Sequence, residues 1–489
     1  MASAGGYDTV VRLLLEKDVD VNARGGEYGS ALYVASAGGH EPVVQLLLEK
    51  DVDVNAQGGW HGSALQAALA GGHEAVVWLL LDNGADVNAR GGEYGSALQA
   101  VSAGGHEAFT RLPLENDADV NAQGGRHGSA LLAALAGGHE AVVRLLLENG
   151  ADVNAWEGEY GSALQVVSAG GHEAFVRLLL ENDADVNTQG GWHGSALHAA
   201  SAGGHEAIVR LLLEKDADVK AQEEWYGSAL QAALAGSHEA VVRLLLEKDV
   251  DVNARGGEYG SALYVASAGG HQAIVRLLLE RDADVNARGG WHGSALQAAL
   301  AGGHEAVVRL LLDNGADVNA RGGEYGSALQ AVSAGGHEAF TRLLLENDAD
   351  INAQGGRHGS ALQAASAGGH EAVVRLLLEK DVDVNAREGE YSSALYVASA
   401  GGHEAIVRLL LEKDVDVNAQ EGWYGSPFQT ASAGGHEAVV RLLLGKDADI
   451  NARGGEFGSA LYVASAGGHE AVVGLFLEND ADVNAQGGR

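Results

Sequence analysis

HGSALQAALAGGHEAVVWLLLDNGADVNARGGE, residues 61–93, is a unit of 33 residues, and versions of it follow one another without a gap. Counted from Tyr28, fourteen full copies end at Arg489, and residues 1–27 are the last part of a further one. The tetrad Gly-Gly-His-Glu keeps the count, with histidines at His40, His73, His106 and onward to His469. A fixed period of this length is the signature of a stacked repeat array.

The unit reads locally as two helices and a turn. Ser63 is followed three residues later by Gln66, a capping-box pair in which the serine hydroxyl takes an orphan N–H and the glutamine reaches back. Leu65, Ala68 and Leu69 recur at helical spacing, so a short first helix is predicted over 64–70, ended by Gly71-Gly72 through a left-handed turn. Its alanines let a neighbouring helix approach closely. A second helix starts at His73-Glu74, where the glutamate suits the helix dipole. Val76, Val77, Leu79, Leu80 and Leu81 give it an apolar face wider than a single seam. One helix pair cannot cover that face, so neighbouring copies must, and the fold is a quasi-one-dimensional solenoid. Arg144, four residues after Glu140, predicts an exposed ion pair worth roughly 0.3–0.5 kcal/mol. Residues 85–92 form an extended piece and a glycine-rich turn. With helices ~8–10 Å apart, fourteen units span on the order of 140 Å.

The pattern G-x-A-L-x-x-A-x-x-G-G-H-E-A-V-V-R-L-L-L-E-x-x-A-D-V-N-A resembles the ankyrin repeat over the whole chain. The resemblance implies an all-α repeat solenoid: two antiparallel helices and a projecting β-hairpin per repeat, stacked into a curved, elongated array with a concave recognition surface. The Gly-Gly hairpins and Ser-Ala-Leu-Gln openings most resemble fungal ankyrin arrays that lie C-terminal to NACHT-type nucleotide-binding domains. Two departures concern stability. The family's Thr-Pro-Leu-His opening is mostly Ser-Ala-Leu-Gln, with histidine restored at His198 and proline at Pro427. The family's glycine after the second helix is usually aspartate, as at Asp216 and Asp282, and stays glycine at Gly84, Gly150 and Gly315. Aspartate enters the left-handed region at some cost.

Composition bounds the function. The formal charge is −36, with 67 acidic against 31 basic residues spread along every repeat. Nucleic-acid binding needs a basic stripe, so none is expected. The acidity reads as a solvated surface, compatible with a basic partner. With no cysteine there is no disulfide framework or thiolate metal site. No apolar run approaches a membrane span, and the N-terminus lacks the pattern of a signal peptide, so the expectation is a cytoplasmic protein. The chain starts inside a repeat and stops in a hairpin without atypical polar end repeats, which suggests a piece of a larger polypeptide. Residues 61–126 recur at 292–357 with Trp78, Pro113 and Val120 replaced by Arg309, Leu344 and Ile351, so the array grew by copying a seven-repeat block. Pro113 falls inside a second helix, a fault of ~3 kcal/mol, whereas Pro42 sits harmlessly in a first turn.

No catalytic, cofactor or metal site is expected. Zinc ligands sit ~2 Å from the ion, but equivalent histidines of stacked repeats are ~10 Å apart, so the tetrad histidines are helix-start residues. A serine–histidine–aspartate constellation repeated in every unit is a scaffold, not a triad. Small-molecule substrates are not expected either.

The informative positions are those that vary. The residue two before the Gly-Ser pair is Glu, Trp or Arg, a set that no buried site accepts interchangeably. In the family this stretch is the hairpin tip. Trp60, Arg126, Trp192, Trp225, Trp291, Arg357 and Trp423 are therefore the expected anchors for a protein partner, since Trp and Arg are enriched in binding hot spots. The alternative role for the tryptophans is glue between neighbouring tips. The capping-box glutamine also varies, to Tyr33, Tyr264, Tyr396 and Tyr462, to Leu132 and to His198. The tyrosines are candidates for partner contact or for packing. The expected function is a non-catalytic protein-interaction scaffold, the sensing array of a larger switch protein. The rivals are the targeting arm of an enzyme and a structural tether.

Overall fold

The computed structural model describes residues 1–489 except 18, 26–28, 59–61, 94, 126–127, 157–160, 193, 224–226, 257–259, 290–292, 323–325, 357–358, 388–392, 422–424, 456–457 and 485–489. Within each repeat an inner helix is followed by an outer helix, as in Ala64–Ala70 and Glu74–Asp82 or Ala295–Ala301 and Glu305–Asp313. The first helix occupies the predicted residues, 64–70. Ser63 Oγ accepts from Gln66 N (3.2 Å) and Gln66 Oε1 accepts from Ser63 N (2.6 Å), a reciprocal cap. Gly72, at φ 69°, supplies the left-handed turn between the two helices.

The inner helices are buried nearly all round. Ala64, Leu65, Ala68 and Leu69 are at most 1% exposed, because small side chains let the next inner helix lie close on either side. Inner packs on inner and outer on outer, as Ala64–Ala70 does on Ala97–Gly104 and Glu107–Glu115 on Glu140–Glu148. The outer helix buries Val142, Val143, Leu145 and Leu146. Its far side carries the ion pair Arg144 Nη2–Glu140 Oε1 at 2.7 Å, one of a series that includes Arg177–Glu173, Arg309–Glu305 and Arg441–Glu437. The architecture is an all-α repeat solenoid. Its short antiparallel hairpins pair Arg288–Gly289 with Gly293–Ser294, Arg321–Gly322 with Gly326–Ser327 and Arg453–Gly454 with Gly458–Ser459.

The helix pairs group into two compact units, residues 1–223 with 238–250, and residues 224–237 with 251–489. Thus the outer helix Glu239–Leu246 belongs to the first and the inner helix Ala229–Ala235 to the second. Each unit repeats the same inner-on-inner packing.

The end of the outer helix takes two forms, decided by the residue after the aspartate. With alanine there, the aspartate enters the left-handed region, as at Asp216 (φ 59°) and Asp282 (φ 60°). The alanine N–H then reaches back to close a six-residue turn, as Ala217 N does to Leu212 O and Ala283 N to Leu278 O. Ala217 and Ala283 are buried in that turn. With valine there, Asp51, Asp249, Asp381 and Asp414 stay out of the left-handed region. Val250 and Val382 instead bond two residues back, to Lys248 O and Lys380 O at 2.8 Å. These valines are half-buried, since the place that closes over one methyl group does not take a branched side chain.

Pro113 lies inside the helix Glu107–Glu115, so the expected register is the observed one. The proline has no N–H to give to the carbonyl of Phe109, and its side chain is buried. Its counterpart in the copied block, Leu344, sits in the intact helix Glu338–Glu346. Two outcomes follow. Pro113→Leu should raise amide protection across 107–115, measured by hydrogen exchange, toward that of 338–346; unchanged protection would contradict the cost assigned to the proline. Asp282→Gly should raise the urea midpoint, a gain of a few tenths to ~1 kcal/mol, because glycine takes φ 60° without a Cβ penalty.

Candidate functional site: the hairpin tips

The tips rest on side chains that cross from one repeat to the next. Gln66, whose Oε1 completes the cap of its own helix, donates through Nε2 to Ala89 O (3.1 Å) and Gly95 O (2.8 Å) of the following hairpin. Gln99, Gln165, Gln330 and Gln429 make the same pair of reaches, to the carbonyls of Ala122 and Gly128, Thr188 and Gly194, Ala353 and Gly359, and Ala452 and Gly458. Glycine sets the spacing. A Cβ on Gly95 would lie 2.8 Å from the carbonyl carbon of Gly124, and one on Gly289 would lie 2.7 Å from Gly260 Cα. Hairpin therefore stacks on hairpin at backbone contact, and any side chain at these glycines would push the tips apart.

A second ladder runs beside the first. Asn55 Nδ2 donates to Gly84 O (3.2 Å) and Asn55 Oδ1 accepts from Asp86 N (2.6 Å), while Asp53 Oδ1 accepts from Asn55 N (3.1 Å) and fixes the asparagine. Asn88, Asn121, Asn286 and Asn319 repeat the arrangement. At Lys220 the asparagine is missing, and Lys220 Nζ reaches Asp249 Oδ2 at 2.6 Å instead. The hydrogen bond and charge of Lys220 hold the Asp249 carboxyl below its ordinary range. Both side chains are exposed, so the pair adds little to stability.

The tetrad histidines form a third set of crossings. They stand at helix starts, but their side chains make no cap bond to their own helix. His73 Nε2 meets Ala37 O and His139 Nε2 meets Ala103 O, both at 3.0 Å, in the preceding repeat. Bonding a carbonyl requires the proton on Nε2. His271 Nε2 meets Ser237 Oγ at 3.1 Å in place of a carbonyl, and His106, His172 and His337 make no such bond: they turn edge-on to Phe109, Phe175 and Phe340 at 5.8–6.0 Å and are exposed. In those repeats phenylalanine takes the place of the valine or isoleucine found in the others.

Of the expected anchors, Trp192 is 71% exposed. Trp60, Arg126, Trp225, Trp291, Arg357 and Trp423 lie outside the described residues. The tyrosines divide. Tyr33 and Tyr264 are buried, 5% and 7% exposed, and serve packing; Tyr396 is half-buried, and Tyr462 is 46% exposed. Where Tyr396 displaces the glutamine, its neighbour compensates: Ser393 N donates to Glu421 Oε2 (2.5 Å) of the next hairpin. The Glu421 side chain is buried, and Arg387 Nε lies 3.1 Å from its Oε1, an ion pair without hydrogen-bond alignment. His198 keeps the cap in another way, with Nδ1 2.8 Å from Ser195 Oγ. One exposed tip residue escapes the sequence reading. Trp156, 41% exposed, pairs with Ser162 on its hairpin. Its signal was a single tryptophan in a column otherwise made of Gln and Arg.

A family model described as Ankyrin repeats (3 copies) matches residues 1–91, 97–190, 164–256, 197–289, 231–322, 328–421 and 395–487. The chain belongs to the ankyrin-repeat family. Ankyrin repeats are generally protein–protein interaction modules and typically non-catalytic. A search of curated proteins finds no match to the chain. Among the described residues no group of three or more histidines, aspartates or glutamates could hold a metal ion, and no helix is long and apolar enough to cross a membrane.

The Lys220–Asp249 pair gives a check on the ladder. A lowered carboxyl pKa stabilises the folded state above the unfolded value, and that contribution is lost as pH falls through the folded value. Lys220→Asn should return Asp249 to the ordinary carboxylate range in an NMR titration. An Asp249 titration that does not move would show that the lysine is not its partner in solution.

Proposed function

We propose that this ankyrin array is a non-catalytic protein-interaction scaffold that engages its partner through its hairpin tips, as the sensing array of a larger switch protein. One observation carries the reading. The crossings beneath the tips recur in many units, whereas the tip residue changes among Glu, Trp and Arg, and Trp192, the one expected tryptophan anchor among the described residues, holds its ring out to solvent. A fold that needs only the support has no use for an exposed indole, while binding hot spots favour Trp and Arg. In the first unit the tips concerned are Trp60, Arg126 and Trp192; in the second, Trp225, Trp291, Arg357 and Trp423. Glutamate tips between them favour a partner whose apolar pockets are flanked by basic groups.

The test begins with capture of a partner on the intact chain and continues by calorimetry with Trp192→Ala. Affinity should fall by ~1–3 kcal/mol while the melting curve stays in place. A lowered Tm with unchanged affinity makes the tryptophan glue between tips and removes the reading. The full-length transcript separates the roles: a nucleotide-binding domain upstream supports a sensor, and a catalytic domain makes the chain a targeting arm.

A further inference from the structure

Trp156 occupies a position with a defined job elsewhere in the array. It pairs with Ser162 across its hairpin, as Arg288 does with Ser294, Arg321 with Ser327 and Arg453 with Ser459. At three of the arginines in this column the guanidinium reaches a carboxylate twenty-nine residues on, in the next repeat. Arg387 Nη2 lies 3.1 Å from Asp416 Oδ2, Arg255 Nη2 3.6 Å from Asp284 Oδ2 and Arg453 Nη2 4.0 Å from Asp482 Oδ2. In each case Oδ1 of the same aspartate is already engaged by an asparagine N–H, so Oδ2 is the oxygen left for the cation.

The corresponding aspartate for Trp156 is Asp185. Its Oδ1 accepts from Asn187 N at 2.9 Å, it is exposed, and it has no basic partner among the described residues. In place of the guanidinium stands an indole that lies against the next tip: a Cβ on Gly190 would run into the Trp156 ring. Two residues beyond Gly190 comes Trp192, the most exposed of the described tryptophans. The site therefore keeps the carboxylate, lacks the cation and supplies two exposed indoles.

We propose that Trp156, Asp185 and Trp192 form a receptor for an arginine or lysine side chain from a basic segment of the protein partner. The indoles offer their π faces to the incoming cation and Asp185 Oδ2 its charge, so that the partner completes the ion pair this repeat lacks. The chain's net charge of −36 draws such a segment in, and the site selects it at short range. This deepens the tip reading of the preceding subsection and rests on it.

The test uses the full chain and two fluorescein-labelled peptides of equal length, one alternating arginine with glycine and one alternating glutamine with glycine, followed by anisotropy at 0.15 M salt. Trp156→Gln introduces a residue that other repeats carry in this column and leaves the net charge unchanged. It should weaken the arginine peptide by about three- to thirty-fold, the range of a cation–π contact. Trp156→Arg restores the internal pair and should weaken it further. Trp78→Arg adds the same charge on an outer helix, away from the tips, and should leave binding as it was. The inference is overturned if the wild-type chain does not distinguish the two peptides, or if Trp156→Gln binds the arginine peptide as the wild type does. If Trp192→Ala lowers affinity for the captured partner while Trp156→Gln leaves arginine binding alone, the tip reading stands and the cation receptor fails. The reverse pattern removes the tip reading and, with it, the partner segment proposed for the receptor.

Discussion

Side chains of one repeat hydrogen-bond the main chain of its neighbour, and this sets the period. The asparagine reaches the carbonyl twenty-nine residues on and the N–H thirty-one on, the glutamine reaches carbonyls twenty-three and twenty-nine on, and the histidine a carbonyl thirty-six back. An inserted residue between two helices would put all three out of register at that junction. Apolar contact alone would not be so strict, because leucine and valine on the outer helix could slide by a fraction of a turn and still be covered. The polar crossings hold one register and leave the hydrophobic burial to supply the bulk of the stability.

The helices were legible because their causes are local. Ser63 and Gln66, Glu140 and Arg144, and the glycines at 71 and 72 each act within a few residues, and the first helix spans the residues they mark. The crossings were not legible, because both ends of each bond must be known before either has a meaning. The capping-box motif explains Gln66 Oε1 and is silent about Nε2, which does the work between repeats. The tetrad histidine sits where a helix starts, yet its ring serves the preceding repeat. The two endings of the outer helix turn on one side chain, alanine or valine, that propensity ranks as a minor change and packing does not. Of the candidate site, the tip column was readable from its variation. Which tyrosines are packed away, and what Trp156 displaces, depend on neighbours that no single repeat contains.

The same arrangement separates support from display. Where the glutamine is present, the tip stands on a glycine contact and a glutamine bridge that do not involve the residue it presents. Glu, Trp and Arg can therefore succeed one another in that column without disturbing the stack, which lets the presented face vary while the frame stays fixed. At Tyr396, where the support does change, a second substitution restores the lost bond from the next hairpin, through Glu421.

Most of the crossings end on peptide groups, which a repeat supplies whatever side chains it carries. A repeat taken from one place and joined to another finds the carbonyls it needs already present. Unequal recombination between copies thus yields a junction that fits at once, and the near-identity of residues 61–126 and 292–357 is what such exchange leaves behind. An array built this way lengthens or shortens by whole repeats at little cost to folding, and each event deals a new order of tip residues. Diversity of display is then generated by rearrangement as much as by point substitution.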